Sequence, residues 1–209
     1  MTATHTMRRV ALLFLLILRL CSFAKGDEEV LATGDWSKPV SYSGCSLRGR
    51  LLLCKSPKNQ AVAVYVELQE CSESWGGNTA VFCDLTAATS QHPKPAVVWE
   101  MKDEAGKPVP ASTSTFSGGA PGASWISLPA DSTVRLRASV IVGPWPEDGN
   151  LSIFFLSSHW LIPKVSSKDY WLGCTLTAEP SADIAAPAGD RVWKGTLVMP
   201  KMKMPVQRP

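Results

Sequence analysis

Histidine is scarce in this chain, sustained helical periodicity is missing, and only one apolar run is long. Each shortage excludes something. Of three histidines in 209 residues, His5 falls in the N-terminal leader, leaving His92 in "SQHPKP" and His159 in "SSHW". A Ser-His-Asp or Cys-His site needs one of them as general base. Neither stands beside a recognisable nucleophile motif, so no catalytic residue is assigned and an enzyme is the less favoured reading. The cysteine spacings lack the short C-x2–4-C of zinc ligands, and no histidine cluster accompanies them. "SGGAPGAS" (117–124) is glycine-rich but lacks the Gly-Lys-Ser/Thr ending of a phosphate loop. No metal and no cofactor are therefore expected.

Excess charge is also lacking. The chain holds 21 Lys and Arg against 18 Asp and Glu, and Arg8, Arg9 and Arg19 all lie in the leader. Without them the two signs balance. A basic face that releases counterions from nucleic acid is not expected. Paired carboxylates occur at Asp103-Glu104 and Glu147-Asp148, both in turn sequences. Glu67 and Glu100 stand within strands, where alternation points them toward solvent.

The one long apolar run is Val10 to Leu18, "VALLFLLIL", preceded by Arg8-Arg9 and followed by Ser22-Phe23-Ala24. A basic start, an apolar centre and a small-x-small exit make a signal peptide over residues 1–24, with the mature chain starting at Lys25. Lipidation at Cys21 is the alternative, against which Leu20 occupies a position that wants a small residue. A spanning helix needs about 20 apolar residues, so no transmembrane segment is expected. The protein is expected to be secreted, or to lie in the periplasm or cell envelope.

The rest reads as strands and turns. "AVAVYVELQ" (61–69) puts Val62, Val64, Val66 and Leu68 on one face, and "STVRLRASVIV" (132–142) alternates Val134, Leu136 and Ala138 against Arg135 and Arg137. Further strands are expected at 170–178 and 192–199. "DEAGKP" (103–108), "PADS" (129–132) and "PEDGN" (146–150) supply the turn residues between strands. Short strands at this spacing predict an all-β single domain over 25–209, an antiparallel β-sandwich of Ig-like or jelly-roll-like type, with a β-barrel as the alternative. Residues 86–95 and 178–190 read as exposed loops.

Five cysteines outlast the leader: Cys45, Cys54, Cys71, Cys83 and Cys174. In "CSLRGRLLLC" a two-residue turn at Gly49-Arg50 would set Cys45 opposite Cys54 on a non-hydrogen-bonded pair, close enough to bridge. Cys71 and Cys83 are symmetric about Gly77 in the same way. Cys45–Cys54 and Cys71–Cys83 are the disulfides expected in an oxidising compartment, though other connectivities are open to the sequence. That leaves Cys174 as a free thiol. In "DYWLGCTLTAEP" (169–180) it shares a strand face with Tyr170, Leu172 and Leu176, as a small buried hydrophobe would.

The eight tryptophans are the feature most open to a functional reading. Trp75 in "SESWGGN" and Trp145 in "VGPWPEDG" lie in expected loops and could stack on sugar rings. Trp99, Trp125, Trp171 and Trp193 lie in strands, where packing is the default. "NLS" at 150–152 fits an N-glycosylation acceptor at Asn150.

"GKPVP", "WISLPADSTVRLRAS", "DGNLSIFF", "WLIP", "DYWLGCTLTAEP" and "WKGTLVMPKMKMP" together resemble a group of uncharacterised secreted proteins of planctomycete-type bacteria, over about residues 97 to 205. The resemblance implies secretion and a bacterial envelope, and carries no functional residues with it. The combined expectation is a non-enzymatic binding or envelope-associated structural protein with a protein or glycan partner and no nucleic acid. A carbohydrate-binding module and an extracellular hydrolase are the alternatives.

Overall fold

The computed structural model describes residues 28–58, 62–73, 77–83, 97–113, 124–138, 150–155, 158–163, 166–179 and 185–205. These residues form strands and no helix. The signal-peptide segment, His92, Trp75, Trp145 and the loop at 86–95 lie outside them.

The strands are β1 (Glu29–Thr33), β2 (Val40–Tyr42), β3 (Cys45–Lys55), β4 (Val62–Glu70), β5 (Thr79–Cys83), β6 (Val97–Asp103), β7 (Ser112–Thr113), β8 (Ser124–Leu128), β9 (Thr133–Arg137), β10 (Asn150–Phe155), β11 (Ser158–Pro163), β12 (Tyr170–Ala178), β13 (Arg191–Trp193) and β14 (Gly195–Lys203). They build four sheets: β1-β3-β4-β9 with β2 also on β3, β14-β12-β6, β13-β5-β8 and β10-β11-β7. Pairing is antiparallel except between β13 and β5. Among the described residues no sheet closes on itself, so the barrel alternative does not hold there.

Local chemistry accounts for the reversals. After β6, the Asp103 carboxylate accepts from Ala105 N and Lys107 N (3.0 and 2.9 Å), while Gly106 takes a φ of 76° that side chains resist. Between β8 and β9, Ser132 N bonds Pro129 O (3.1 Å) around Asp131, whose φ is 57°. Aspartate is among the few residues that tolerate this region.

The core lies between sheets. Leu47, Leu51 and Leu53 of β3 and Val64, Val66 and Leu68 of β4 belong to one buried cluster with Leu172, Cys174 and Leu176 of β12 and Leu197, Met199 and Met202 of β14. Burying each such side chain contributes roughly 1.5–3 kcal/mol. Trp193 is fully buried and donates Nε1–H to Val40 O (2.9 Å), and Trp160 donates to Val109 O (2.9 Å). Trp99 stacks on Phe155 with ring centroids 3.9 Å apart. Ala178 is the buried end of β12, so the expected loop at 178–190 starts one residue too early.

The expected hairpin over 45–54 is not formed. β3 runs unbroken through Gly49 and Arg50, paired residue for residue with β4 from Leu47↔Glu70 to Lys55↔Val62. Gly49 serves close packing rather than a turn. A Cβ there would lie 3.0 Å from Met199 Cε and 3.3 Å from Leu68 Cδ2. The consequence for the cysteines is direct. Cys45 and Cys54 sit nine residues apart on one extended strand, about 30 Å, where a disulfide needs Cα atoms within about 7 Å. The expected Cys71–Cys83 hairpin is also absent, because β4 and β5 belong to different sheets. All five thiols are free among the described residues.

Candidate functional site

The outer face of the β1-β3-β4-β9 sheet carries the densest polar arrangement in the described structure. Directly paired residues of antiparallel strands share a face. The register therefore aligns three rows across β3, β4 and β9: Arg48–Gln69–Thr133, Arg50–Glu67–Arg135 and Leu52–Tyr65–Arg137.

Glu67 is the centre. Alternation places it outward, as the sequence suggests, yet the residue is only 3% exposed. Arg50 and Arg135 cover it from both neighbouring strands: Arg50 Nε donates to Oε2 (2.5 Å) and Arg135 Nε to Oε1 (2.7 Å). The hydrogen bond from Arg135 to the carboxylate holds the guanidinium above its ordinary pKa. One row along, Arg48 Nε donates to Gln69 Oε1 (2.7 Å).

Trp36 completes the arrangement from the β1–β2 connection. That segment is pinned to β3 by Gly34 N→Leu51 O (2.9 Å), Ser37 N→Gly49 O (2.8 Å) and Gly49 N→Ser37 Oγ (3.0 Å). Between the pins, the Trp36 ring lies under two guanidinium groups, Arg50 at 4.4 Å and Arg48 at 4.9 Å from its centroid. Such cation–π contacts orient arginine heads without consuming their N–H donors. At the far end Tyr65 Oη donates to Glu28 Oε1 (2.8 Å). Burial, then this hydrogen bond, pushes the phenol up to about 12.

The donor count gives the face its chemistry. A guanidinium has five N–H donors in a fixed fork. Arg48, Arg50 and Arg135 each use Nε for a side-chain acceptor, and no protein acceptor among the described residues takes their terminal Nη donors. The side chains of Arg50 and Arg135 are 26% and 45% exposed. Rigidly held, partly desolvated guanidinium forks are suited to carboxylate and other oxyanions.

A second polar cluster surrounds Glu70, which is 1% exposed. Its carboxylate accepts from Ser72 N (3.1 Å), Ser72 Oγ, Asp131 N (3.2 Å) and Thr79 Oγ1 (3.4 Å). These bonds tie the end of β4 to the start of β5 and to the β8–β9 turn, a structural clamp. Beside it, Pro39, Ser41, Gly44, Cys45, Ser46, Cys71, Ser72 and Glu73 line an open cleft of about 500 Å³. Cys71 is the only thiol among the five that is not buried. It lies against Ser46 O (3.4 Å).

The other residues singled out by sequence separate. Cys174 is buried between Leu172 and Leu176, and burial alone drives its thiol far above the usual range. Burial also pushes Cys83 up to about 12. His159 stacks flat on Phe154 (4.0 Å between centroids), and its buried Nε2 has no hydrogen-bond partner among the described residues. No group of three or more His, Cys, Asp or Glu able to hold a metal occurs among the described residues. No helix there is long and apolar enough to cross a membrane. Sequence reasoning overlooked the arginine face. Its one local signal was a pair of Arg-x-Arg repeats, 48/50 and 135/137, at strand spacing.

No protein family, no curated protein and no solved structure matches this chain.

Proposed function

We propose that this chain is an exported, non-enzymatic binding protein of the bacterial envelope whose working surface is the arginine face. The observation that carries the reading is the set of Nη donors on Arg48, Arg50 and Arg135, for which no described residue supplies an acceptor. A binding surface needs preorganised groups with unused valence, and this face supplies them. A chain kept only for its packing gains little from flanking one buried carboxylate with two arginines and setting a third beside them.

Export rests on the N-terminal sequence: signal peptide over 1–24, start at Lys25, a single domain over 25–209. The likeness of residues 97 to 205 to secreted planctomycete-type proteins supports the same compartment. In such a host Asn150 would carry no glycan. The architecture that fits the shared core of β3, β4, β12 and β14 is a sandwich, with the arginine face as one of its outer surfaces. Cys45, Cys54, Cys83 and Cys174 are buried, and their burial would shield them from oxidation outside the cytoplasm.

The test is sedimentation of the purified mature chain with envelope fragments. The protein should pellet in low salt, release in high salt, and stay in the supernatant as Arg135→Gln. A wild-type chain that remains soluble in every condition would refute the reading.

A further inference from the structure

We infer that the ligand of the arginine face is an acidic polysaccharide, a linear polymer bearing carboxylates on successive sugars. This rests on the reading of that face as the binding surface and adds the class of ligand.

The spacing of the cations is the first ground. Arg48 and Arg50 lie two residues apart on β3, as do Arg135 and Arg137 on β9, while β4 separates the two strands. Two residues along a strand span about 7 Å, and two inter-strand steps about 10 Å. Arg48, Arg50, Arg135 and Arg137 thus follow a diagonal of roughly 17 Å across the sheet. A small anion reaches one or two of these heads. Engaging the whole diagonal takes a polymer with repeated charges.

Charge is the second ground. The arginines of the ladder outnumber its carboxylates: Arg50 and Arg135 share Glu67, Arg48 bonds the neutral Gln69, and Glu28 stands at the edge on Tyr65. Neighbours on the ladder, the half-buried Gln69 and the exposed Thr133, are neutral hydrogen-bonding groups suited to sugar hydroxyls.

The aromatic contact is the third ground, and it separates polysaccharide from nucleic acid. Single-strand binders stack bases on exposed rings. Here the Trp36 ring is already covered by Arg48 and Arg50. It serves as a support for cations, and no base-stacking platform is left on that side.

The experiment is titration of the mature chain with oligouronates of increasing length, beside a neutral glucan, a single-stranded oligonucleotide and phosphatidylglycerol vesicles. Affinity should rise at least about tenfold from disaccharide to hexasaccharide, as further charges engage. It should fall roughly tenfold between about 50 and 200 mM salt. Arg48→Gln with Arg137→Gln leaves the Glu67 pairs intact and should weaken hexasaccharide binding at least about tenfold. Thr133→Glu, which removes no charged contact and sets an anion in the ladder, should do the same, and Lys201→Gln on another sheet should change nothing. Equal binding of the neutral glucan, or full binding by both ladder variants, would overturn the proposal. So would preference for the oligonucleotide or the vesicles. Absence of oligouronate binding, with envelope sedimentation still sensitive to Arg135→Gln, would reject the ligand class and leave the binding face standing.

Discussion

Two sheet faces point away from the core they share, and both carry cations around a glutamate. On the β1-β3-β4-β9 sheet the cations are arginines and the glutamate, Glu67, is 4% exposed at its side chain. On the β14-β12-β6 sheet they are lysines, and Glu100 is 47% exposed. Lys102 and Lys201 reach Glu100 at 3.1 and 3.7 Å, and Lys203 reaches Asp169 at 2.6 Å. The same charges therefore have different consequences. Arginine forks locked to a buried carboxylate are fixed in direction and keep unused donors. The Lys–Glu100 pairs lie in water and each contributes little, and Lys203 holds Asp169, a carboxylate outside the Glu100 group. Gly173 marks the contrast on the lysine side: its missing side chain leaves the space that Glu100 occupies, with Glu100 Cγ 2.9 Å from where a Cβ would stand.

The largest expected difference is between the two glutamates. Glu67→Ala removes two charge-assisted hydrogen bonds from a buried site and should cost about 2 kcal/mol, discounted because both arginines can rehydrate. Glu100→Ala should change stability by no more than about 0.5 kcal/mol. Urea denaturation of both variants measures this, and equal effects would erase the distinction between the faces.

Two glycines sharpen it next. Gly49→Ala forces a methyl against Met199 and Leu68 in the packed core and should cost about 1–2 kcal/mol. Gly173→Ala meets only the flexible, half-exposed Glu100 side chain, and should cost under about 0.5 kcal/mol by the same denaturation.

The smallest effect concerns alkaline pH. Tyr65 on the arginine face is raised from 10 to about 12 when folded. Its contribution is whole below pH 10. Between pH 10 and 12 the unfolded chain loses this proton while the folded chain keeps it, so stability falls as pH rises. Cys54, Cys83 and Cys174, raised above 9.0 by burial, add to the same decline. Tyr65→Phe should make the fall in denaturation midpoint between pH 10 and 12 shallower without abolishing it. An unchanged slope would mean that neither burial nor the Tyr65–Glu28 bond raises the phenol.

Part of this was legible in the sequence, and the division is physical. Alternation and turn residues are local, so 61–69 and 170–178 read directly as strands, found at Val62–Glu70 and Tyr170–Ala178. The 45–54 segment was misread because Gly49-Arg50 looks like a turn locally, while the reason for its glycine is Met199, about 150 residues on. Glu67 was correctly turned outward, yet burial comes from Arg50 and Arg135 on separate strands, and only the register reveals that. Trp36 carried no local signal at all. Its place under Arg48 and Arg50 follows from the Ser37–Gly49 pins, a long-range pairing.

The most direct measurement is residue-resolved amide chemical-shift mapping of the mature chain during titration with a uronate hexasaccharide, since it observes both faces at once. If the arginine face is the binding surface, shifts gather at 46–50, 65–69 and 133–137 and at Trp36, while 98–102, 171–177 and 196–203 stay still. Shifts centred on the lysine face, or spread evenly over both, would contradict it.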